Sequence, residues 1–364
     1  MYFMAIKYKW LADRLKEMIY TDIEKGIEKL PTEQELCSRF RVSRQTVRLS
    51  LSLLEQEGLI VKKRGSGSFI TGLRSEPDSN IIGILISDDQ DYIYPSLIND
   101  IQSELSRNGF GSRVFVTGCR ASTERHILSE LLKRPLRGLI VEGCRSALPN
   151  PNLDLYRRLR DSSTSLVFIN NYYAQLDGCS YVKDDNLTGS GMLVRHLTGL
   201  GHTAVGGIFP ADELQGIERY QGFVESMRDC GLPVPDERIG WFFSTDMELL
   251  IKKRDTDFLR RIITEPLADC TAVVCYNDMT AYYLIQELRQ AGLNVPEDIA
   301  VASFDNTYLS SSERVAITSL SHNPHESGTE AAQLMVRRLK GLPAQSLELP
   351  WELKVRQSTG KPAS

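Results

Sequence analysis

Residues 30–71 read LPTEQELCSRFRVSRQTVRLSLSLLEQEGLIVKKRGSGSFIT. Thr32 followed three residues later by Glu35 is a capping box, a helix start signal. Leu36 and Phe40, four apart, give that short helix an apolar face. Arg41-Val42 reads as a tight turn and Ser43 as the N-cap of a second helix. In that helix Val47, Leu51 and Leu54 form one apolar stripe, and Gly58 stands at the C′ stop position. Two short helices joined by a tight turn are the helix-turn-helix arrangement. Beyond them, two β-rich runs flank Gly65-Ser66-Gly67, a hairpin signal. Upstream, Trp10, Leu11, Leu15, Met18, Ile19 and Ile23 recur at helical spacing until Gly26 interrupts them.

The polar residues of this stretch are the informative ones. Arg44 and Arg48 lie on one face of the second helix, with Gln45 and Ser52 beside them. Arginine and glutamine bond base edges in pairs, while Ser43 and Thr46 at the helix start reach phosphates. A helix entering the major groove places its N-terminal residues deepest. The hairpin adds Lys62, Lys63 and Arg64 beside a tip of small residues that lets backbone approach a phosphate or the minor groove. Charge follows the same division. Residues 1–73 hold 13 Lys+Arg against 9 Asp+Glu, a balance of +4, whereas the whole chain carries −4. Merely solvated arginines are the competing reading. The full order of capped helix, turn, polar-fronted helix and basic hairpin favours DNA.

The whole chain has 364 residues, 41% hydrophobic and 25% charged, which fits two or three globular units and excludes wholesale disorder. No apolar run reaches the roughly 20 residues of a membrane span, and the N-terminus lacks a signal-peptide core, so no membrane partner is expected. Seven scattered cysteines with no CxxC point to a reducing, cytoplasmic setting. Residues 73–80 are polar, contain Pro77 and read as a linker. From Ile81 onward short apolar strands alternate with helices, which means parallel sheets covered by helices. The expected fold is α/β: a small winged helix-turn-helix domain at 1–72, then a two-lobed, doubly wound body at 81–364. Lobe 1 is expected over about 81–171 and 323–346, and lobe 2 over about 172–322 and 347–364.

Residues 30–71 resemble the GntR-type winged helix-turn-helix domain, in LPTEQEL, VSRQTVR, LEQEGLI and RGSGSFI. The resemblance implies base contacts from Arg44 and Arg48, with Thr32, Gln34, Ser43, Gln45 and Thr46 beside them, and a wing contact from Arg64, Gly65, Ser66 and Gly67. Two positions depart: Gln34 stands where many members have Arg, and Arg41 where Gly or Asn is usual. The body resembles the LacI/GalR regulatory core, a type I periplasmic-binding-protein fold, in IIGILI, RGLIVEG, HLTGLGHTAVGGIF, CYNDMTAYYLIQEL and VPEDIAVASFDN. A GntR head on a LacI-type body is similar to the arabinose-repressor family of Gram-positive bacteria. That resemblance implies a homodimeric repressor on double-stranded operator DNA, released by a sugar effector, with L-arabinose expected. Another pentose, an arabino-oligosaccharide or a sugar phosphate is the alternative, as is a sugar sensor with no DNA role.

A sugar needs an aromatic face and charged groups that bond hydroxyls in pairs. Tyr92, Tyr94, Glu142, Asn171, Gln215, Asn277 and Asp305 mostly fall just past strand ends, where open α/β sheets bind ligands. By resemblance Arg219 forks two hydroxyls, Asp305 accepts from them and Tyr94 supplies the stacking face. His322, at the expected interlobe crossover, is a further candidate. Asn277-Asp278 reads equally well as a helix cap. The chain has no GxxxxGK[ST], HExxH or GxSxG motif, and its five histidines lack ligand spacing. No enzyme activity, metal or cofactor is expected.

Overall fold

The computed structural model describes residues 2–24, 29–56, 59–63, 67–70, 80–90, 92–311, 315–323 and 325–360. Gly26, Gly58, Arg64, Gly65, Ser66 and all but Asn80 of the expected linker lie outside them. The chain divides into two compact units, 1–78 and 79–364.

The first unit runs α1 (Tyr2–Glu24), α2 (Glu33–Phe40), α3 (Arg44–Gln56), β1 (Ile60–Lys63) and β2 (Gly67–Ile70). The capping box is complete: the Thr32 amide donates to Glu35 Oε2 at 2.7 Å and the Glu35 amide to Thr32 Oγ1 at 3.3 Å. At the other end of α2, Arg41 adopts a left-handed conformation with φ 51°. Glycine is at ease there and an arginine is not, so the departure noted at position 41 places a strained residue in the turn. Leu11, Leu15 and Ile19 of α1 pack with Leu36, Val47, Leu51 and Leu54 into one buried core. The antiparallel β1–β2 hairpin pairs Lys63 with Gly67.

The second unit holds two six-stranded sheets. Lobe 1 is built by β3 (Ile81–Ile86), α4 (Tyr94–Arg107), β4 (Gly111–Val116), α5 (Ala121–Lys133), β5 (Gly138–Val141), α6 (Leu153–Asp161), β6 (Ser165–Ile169) and β7 (Ser180–Asp184). The chain then crosses to lobe 2: α7 (Asn186–Gly199), β8 (Val205–Pro210), α8 (Leu214–Asp229), β9 (Ile239–Phe242), α9 (Ser244–Lys253), α10 (Asp257–Thr264), β10 (Ala272–Cys275), α11 (Asp278–Gln290), β11 (Ala300–Phe304) and β12 (Thr318–Ser321). It returns to lobe 1 for α12 (Glu326–Leu339) and β13 (Leu347–Leu349), and ends in lobe 2 with β14 (Glu352–Lys354). The sheet orders are β13-β7-β6-β5-β3-β4 and β14-β12-β11-β10-β8-β9. Every pairing is parallel except β14 on β12.

This corrects the expected lobe limits. Lobe 1 extends to Asp184 rather than 171, because Ser180, Tyr181 and Val182 of β7 pair with Val167, Phe168 and Ile169 of β6. It also includes 347–349, because β13 pairs with β7. The central strands are buried on both faces. Ile82, Ile84 and Ile86 lie in one core beneath α4 and α12, while Leu85 points into the other with Leu128, Tyr156 and Phe168. Burying each such Leu or Ile contributes about 1.5–3 kcal/mol. In lobe 2, a Cβ at Gly222 would run into the backbone of Leu187, so glycine there is what lets α8 lie directly on α7.

Candidate functional site

In the head, the N-terminal side chains of α3 are exposed: Ser43, Arg44, Gln45 and Arg48, with Gln34 exposed on α2. Arg44 and Arg48 share a partner that the sequence reading passed over. Glu33 accepts from Arg44 Nε at 3.2 Å and from Arg48 Nε at 3.1 Å. Burial works against the Glu33 carboxylate, but its bonds to Arg48 and Arg44 hold it below the ordinary glutamate pKa. The only local sequence sign of Glu33 was an acidic residue in the first turn of α2, a position usually credited to the helix dipole. Three expected contacts are placed differently. Thr46 is buried, with its hydroxyl 2.9 Å from Ser43 Oγ, so it builds the helix start instead of reaching a phosphate. Thr32 spends its hydroxyl on Glu35 at 2.8 Å. Lys62 turns back to Glu55 at 2.9 Å. Gly67 sits at the hairpin with φ 105°.

In the body, one cavity of about 510 Å³ lies between the lobes at the carboxyl ends of the strands. It is lined by all nine residues listed from the sequence: Tyr92, Tyr94, Glu142, Asn171, Gln215, Arg219, Asn277, Asp305 and His322. Their roles differ. On the lobe 1 side, Glu142 follows β5 and accepts from the Ser87 amide at 2.9 Å, Asn170 Nδ2 at 2.8 Å and Tyr94 OH at 3.3 Å. Ser87 Oγ bonds both Glu142 and Tyr94. The Tyr94 ring packs on the lobe 1 core, so Tyr94 serves this network and is not a free stacking face. Asn171 pins its neighbour loop: Oδ1 accepts from the Gly143 amide at 2.7 Å and Nδ2 donates to the Gly143 carbonyl at 3.2 Å.

On the lobe 2 side, Arg219 is the largest fully buried side chain, 2% exposed. Its Nε donates to Asn186 Oδ1 at 2.9 Å and its Nη1 to the Tyr276 carbonyl. Nη2 faces Asp305 at 3.5 Å and Asp184 at 3.7 Å. The guanidinium lies 4.1 Å from the Phe304 ring and 4.9 Å from the Tyr276 ring. Burial disfavours its charge, but Asp305, Tyr276 and Asp184 together hold its pKa above the usual arginine value. Asp305 itself has φ 94°, a strained turn at the tip of β11. Asp278 fixes that turn, accepting from the Thr307 amide at 2.6 Å and from Ser319 Oγ at 2.7 Å. Burial, reinforced by Asp305, raises the Asp278 pKa to about 6. Asn277 is the α11 cap, its Oδ1 accepting from the Thr280 amide at 2.9 Å.

Tyr276 and Glu213 are among the cavity residues that escaped the sequence reading. The Tyr276 hydroxyl donates to Glu213 Oε2 at 2.6 Å and lies 3.2 Å from Gln215 Oε1. Burial pushes the Glu213 carboxyl up to about 7. Glu213 sits in a polar run after β8, and nothing local separates it from a surface glutamate. The crossovers frame the floor. His322 Nε2 lies 3.6 Å from Asp184, and its ring is 5.0 Å from that of Trp351. Several contacts bridge the lobes: Tyr92 to Asp305 at 2.6 Å, Arg145 to Asp212 at 3.6 Å, the Leu214 amide to Ser146 Oγ at 3.0 Å and Arg120 to Glu248 at 2.7 Å. Among the described residues, no group of three or more His, Cys, Asp or Glu is placed to hold a metal ion.

Residues 7–70 match the family of bacterial regulatory proteins called the gntR family, and residues 194–359 match the periplasmic binding protein-like domain. An arabinose metabolism transcriptional repressor of Geobacillus stearothermophilus is 33% identical over 338 residues, 92% of this chain and 91% of that protein. The chain belongs to this family of GntR-headed, LacI-type transcriptional repressors of sugar metabolism. A second relative of the repressor, an arabinose metabolism transcriptional repressor of Halalkalibacterium halodurans, is 31% identical over 92% of the chain and 89% of its own length. Among solved structures, a transcriptional regulator CelR–cellobiose complex superposes with TM-score 0.66 at 20% identity, covering 87% of the repressor and 92% of that chain. A LacI regulator of Alkaliphilus metalliredigens complexed with D-xylulofuranose gives TM-score 0.65 at 18% identity, covering 77% and 99%. These two likenesses establish the fold of the body. No helix among the described residues is long and apolar enough to cross a membrane.

Proposed function

We propose that the repressor is a cytoplasmic homodimer that holds a two-half-site operator through its heads and releases it when a neutral pentose, L-arabinose first among candidates, fills the interlobe cavity. The observation that carries this reading is the floor of that cavity. Arg219 and Asp305 approach it from lobe 2, and Glu142 with Tyr94 and Ser87 from lobe 1. A polyol bonded by both sets stabilises the closed body over an open one, and only that difference in affinity shifts the population of DNA-binding forms. The names of the two relatives over 30% identical support arabinose.

The charge of the cavity argues against a sugar phosphate. Among the described residues its lining has eight carboxylates against three Arg or Lys, and an added dianion would sit in an unfavourable field. Binding without conversion is the simpler use of such a floor, since Arg219 and Asp305 already neutralise one another. Symmetric dimers read pseudo-palindromic sites, which sets the expected operator form. In the decisive experiment, duplexes selected from a random pool by the full chain are challenged with L-arabinose, D-xylose, D-ribose and a pentose phosphate. Release by arabinose at concentrations where the phosphate is inert supports the reading. Release by the phosphate alone refutes it.

A further inference from the structure

The cavity is larger than the sugar assigned to its floor. A pentose fills at most roughly 300 Å³, taking each of its roughly ten heavy atoms as no bulkier than a water of ~30 Å³. The cavity holds about 510 Å³. The excess has a direction, which α9 reveals. Ser244, Met247, Glu248, Ile251 and Lys252 line the cavity, and their spacing puts them on one face of that helix. The helix starts at the floor: the Ser244 amide and hydroxyl bond the buried Asp212 carboxylate at 2.9 and 2.6 Å, next to Glu213. It ends at solvent, since the Lys252 side chain is 64% exposed. From Ser244 to Lys252 the lining runs about 12 Å at a rise of 1.5 Å per residue. One sugar ring covers only part of that length.

The outer part has its own chemistry. Met247 and Ile251 offer apolar surface, and Met247 is anchored on the lobe 2 core. Glu248 and Lys252 flank them, paired with each other at 2.8 Å. Glu248 also reaches Arg120 of lobe 1 at 2.7 Å, a bridge across the cleft. Apolar atoms beside charged hydrogen-bonding groups suit the two faces of a sugar ring, C–H on one and hydroxyl on the other.

We infer that the α9 face is a second subsite, which takes the next ring of a short neutral oligosaccharide whose terminal pentose lies on the floor. This rests on the neutral-sugar reading above and extends it from monosaccharide to linked sugars. On binding, the second ring lies on Met247 and Ile251 and exchanges hydroxyl bonds with Glu248 and Lys252. The Arg120–Glu248 bridge, already formed at 2.7 Å, then joins the two lobes beside an occupied subsite.

Calorimetry of the full chain with L-arabinose and with α-1,5-linked L-arabinobiose tests this. The disaccharide should bind at least tenfold more tightly than arabinose. Ile251→Trp, which fills the outer space, should remove that advantage while arabinose affinity stays within twofold. Arabinose bound with no gain for the disaccharide overturns the subsite and leaves the pentose reading intact. Binding of neither sugar overturns both. A disaccharide advantage that survives Ile251→Trp also overturns the assignment to α9; Met247→Ala, expected to cost the disaccharide at least threefold, guards against a misfolded Trp variant.

Discussion

The Tyr92 hydroxyl donates to Asp305 Oδ2 over 2.6 Å, and the two residues come from different lobes. Both sit in strained turns past strand ends, Tyr92 with φ 62° and Asp305 with φ 94°. Because Asp305 already faces Arg219, the phenol joins an ion pair and not a lone carboxylate. The body thus carries a contact of its own across the cleft, at a residue the proposed sugar would bond.

Removing that donor should loosen the sugar-free body. A hydrogen bond to a charged group contributes about 1.5–3 kcal/mol, so Tyr92→Phe shifts the closed-to-open ratio roughly ten- to a hundredfold toward open. Hydrogen exchange at the interlobe crossovers, measured without sugar, should rise in the variant. Unchanged protection there would show that the Tyr92 contact does not hold the lobes.

Arg219→Ala takes from Asp184 and Asp305 the guanidinium that faces both. Breaking such a pair costs about 3–5 kcal/mol of stability. The head keeps its own core, so operator affinity should survive while release by sugar is lost. Fluorescence anisotropy on labelled operator, with and without sugar, reads both. Arg219→Lys keeps the charge but not the fork, and should recover stability more than sugar response.

Glu33 ties Arg44 and Arg48 together at the front of α3. Glu33→Gln should lower the preference for the selected operator over unrelated duplex by roughly tenfold, the scale of one base-pair contact. Arg48→Ala should lose most specific binding, yet the sugar heat in calorimetry should match wild type. A Glu33→Gln protein with undiminished preference would mean the two arginines orient themselves.

Glu213 gives a pH signature. Its pKa rises from the usual 4.5 to about 7 on burial, so the folded chain holds a proton that the unfolded chain has lost between these values. Stability therefore falls as pH rises from about 4.5 to 7 and stays lowered above that. Glu213→Gln keeps an acceptor for Tyr276 and removes the titration. Its melting temperature should exceed wild type at pH 8 and converge with it near pH 5. A parallel offset at both pH values would rule out Glu213 as the source.

The head was legible because its signals are local. Thr32 with Glu35, and Ser43 before Val47, declare helix starts within four residues. Strands with continuous apolar runs, such as Ile81–Ile86 and Ala272–Cys275, were equally plain. β7 was not, because SYVKD lacks that pattern. Its Lys183 and Asp184 are buried against Glu218 and against Arg219 and His322, partners distant in sequence. The lobe boundary was misplaced for that reason. In the cavity, the rule that ligands gather past strand ends found nine of the lining residues, but it could not assign most of their jobs. The cap reading of Asn277 was local, since Thr280 is three residues on, but that Asp278 pins the Asp305 turn depends on Thr307, which only the fold brings to it.

The three crossings between lobes bear on the order in which the protein is made. Helix α12, which covers β5, β6 and β7, and the edge strand β13 both lie beyond residue 325. Lobe 1 is therefore unfinished until residue 349 of 364 has left the ribosome, although most of its strands are made first. The head, confined to the first 78 residues, precedes it throughout synthesis. A nascent chain consequently holds the whole DNA-binding head well before both lobes are complete, and truncation anywhere ahead of β13 leaves lobe 1 without its edge strand.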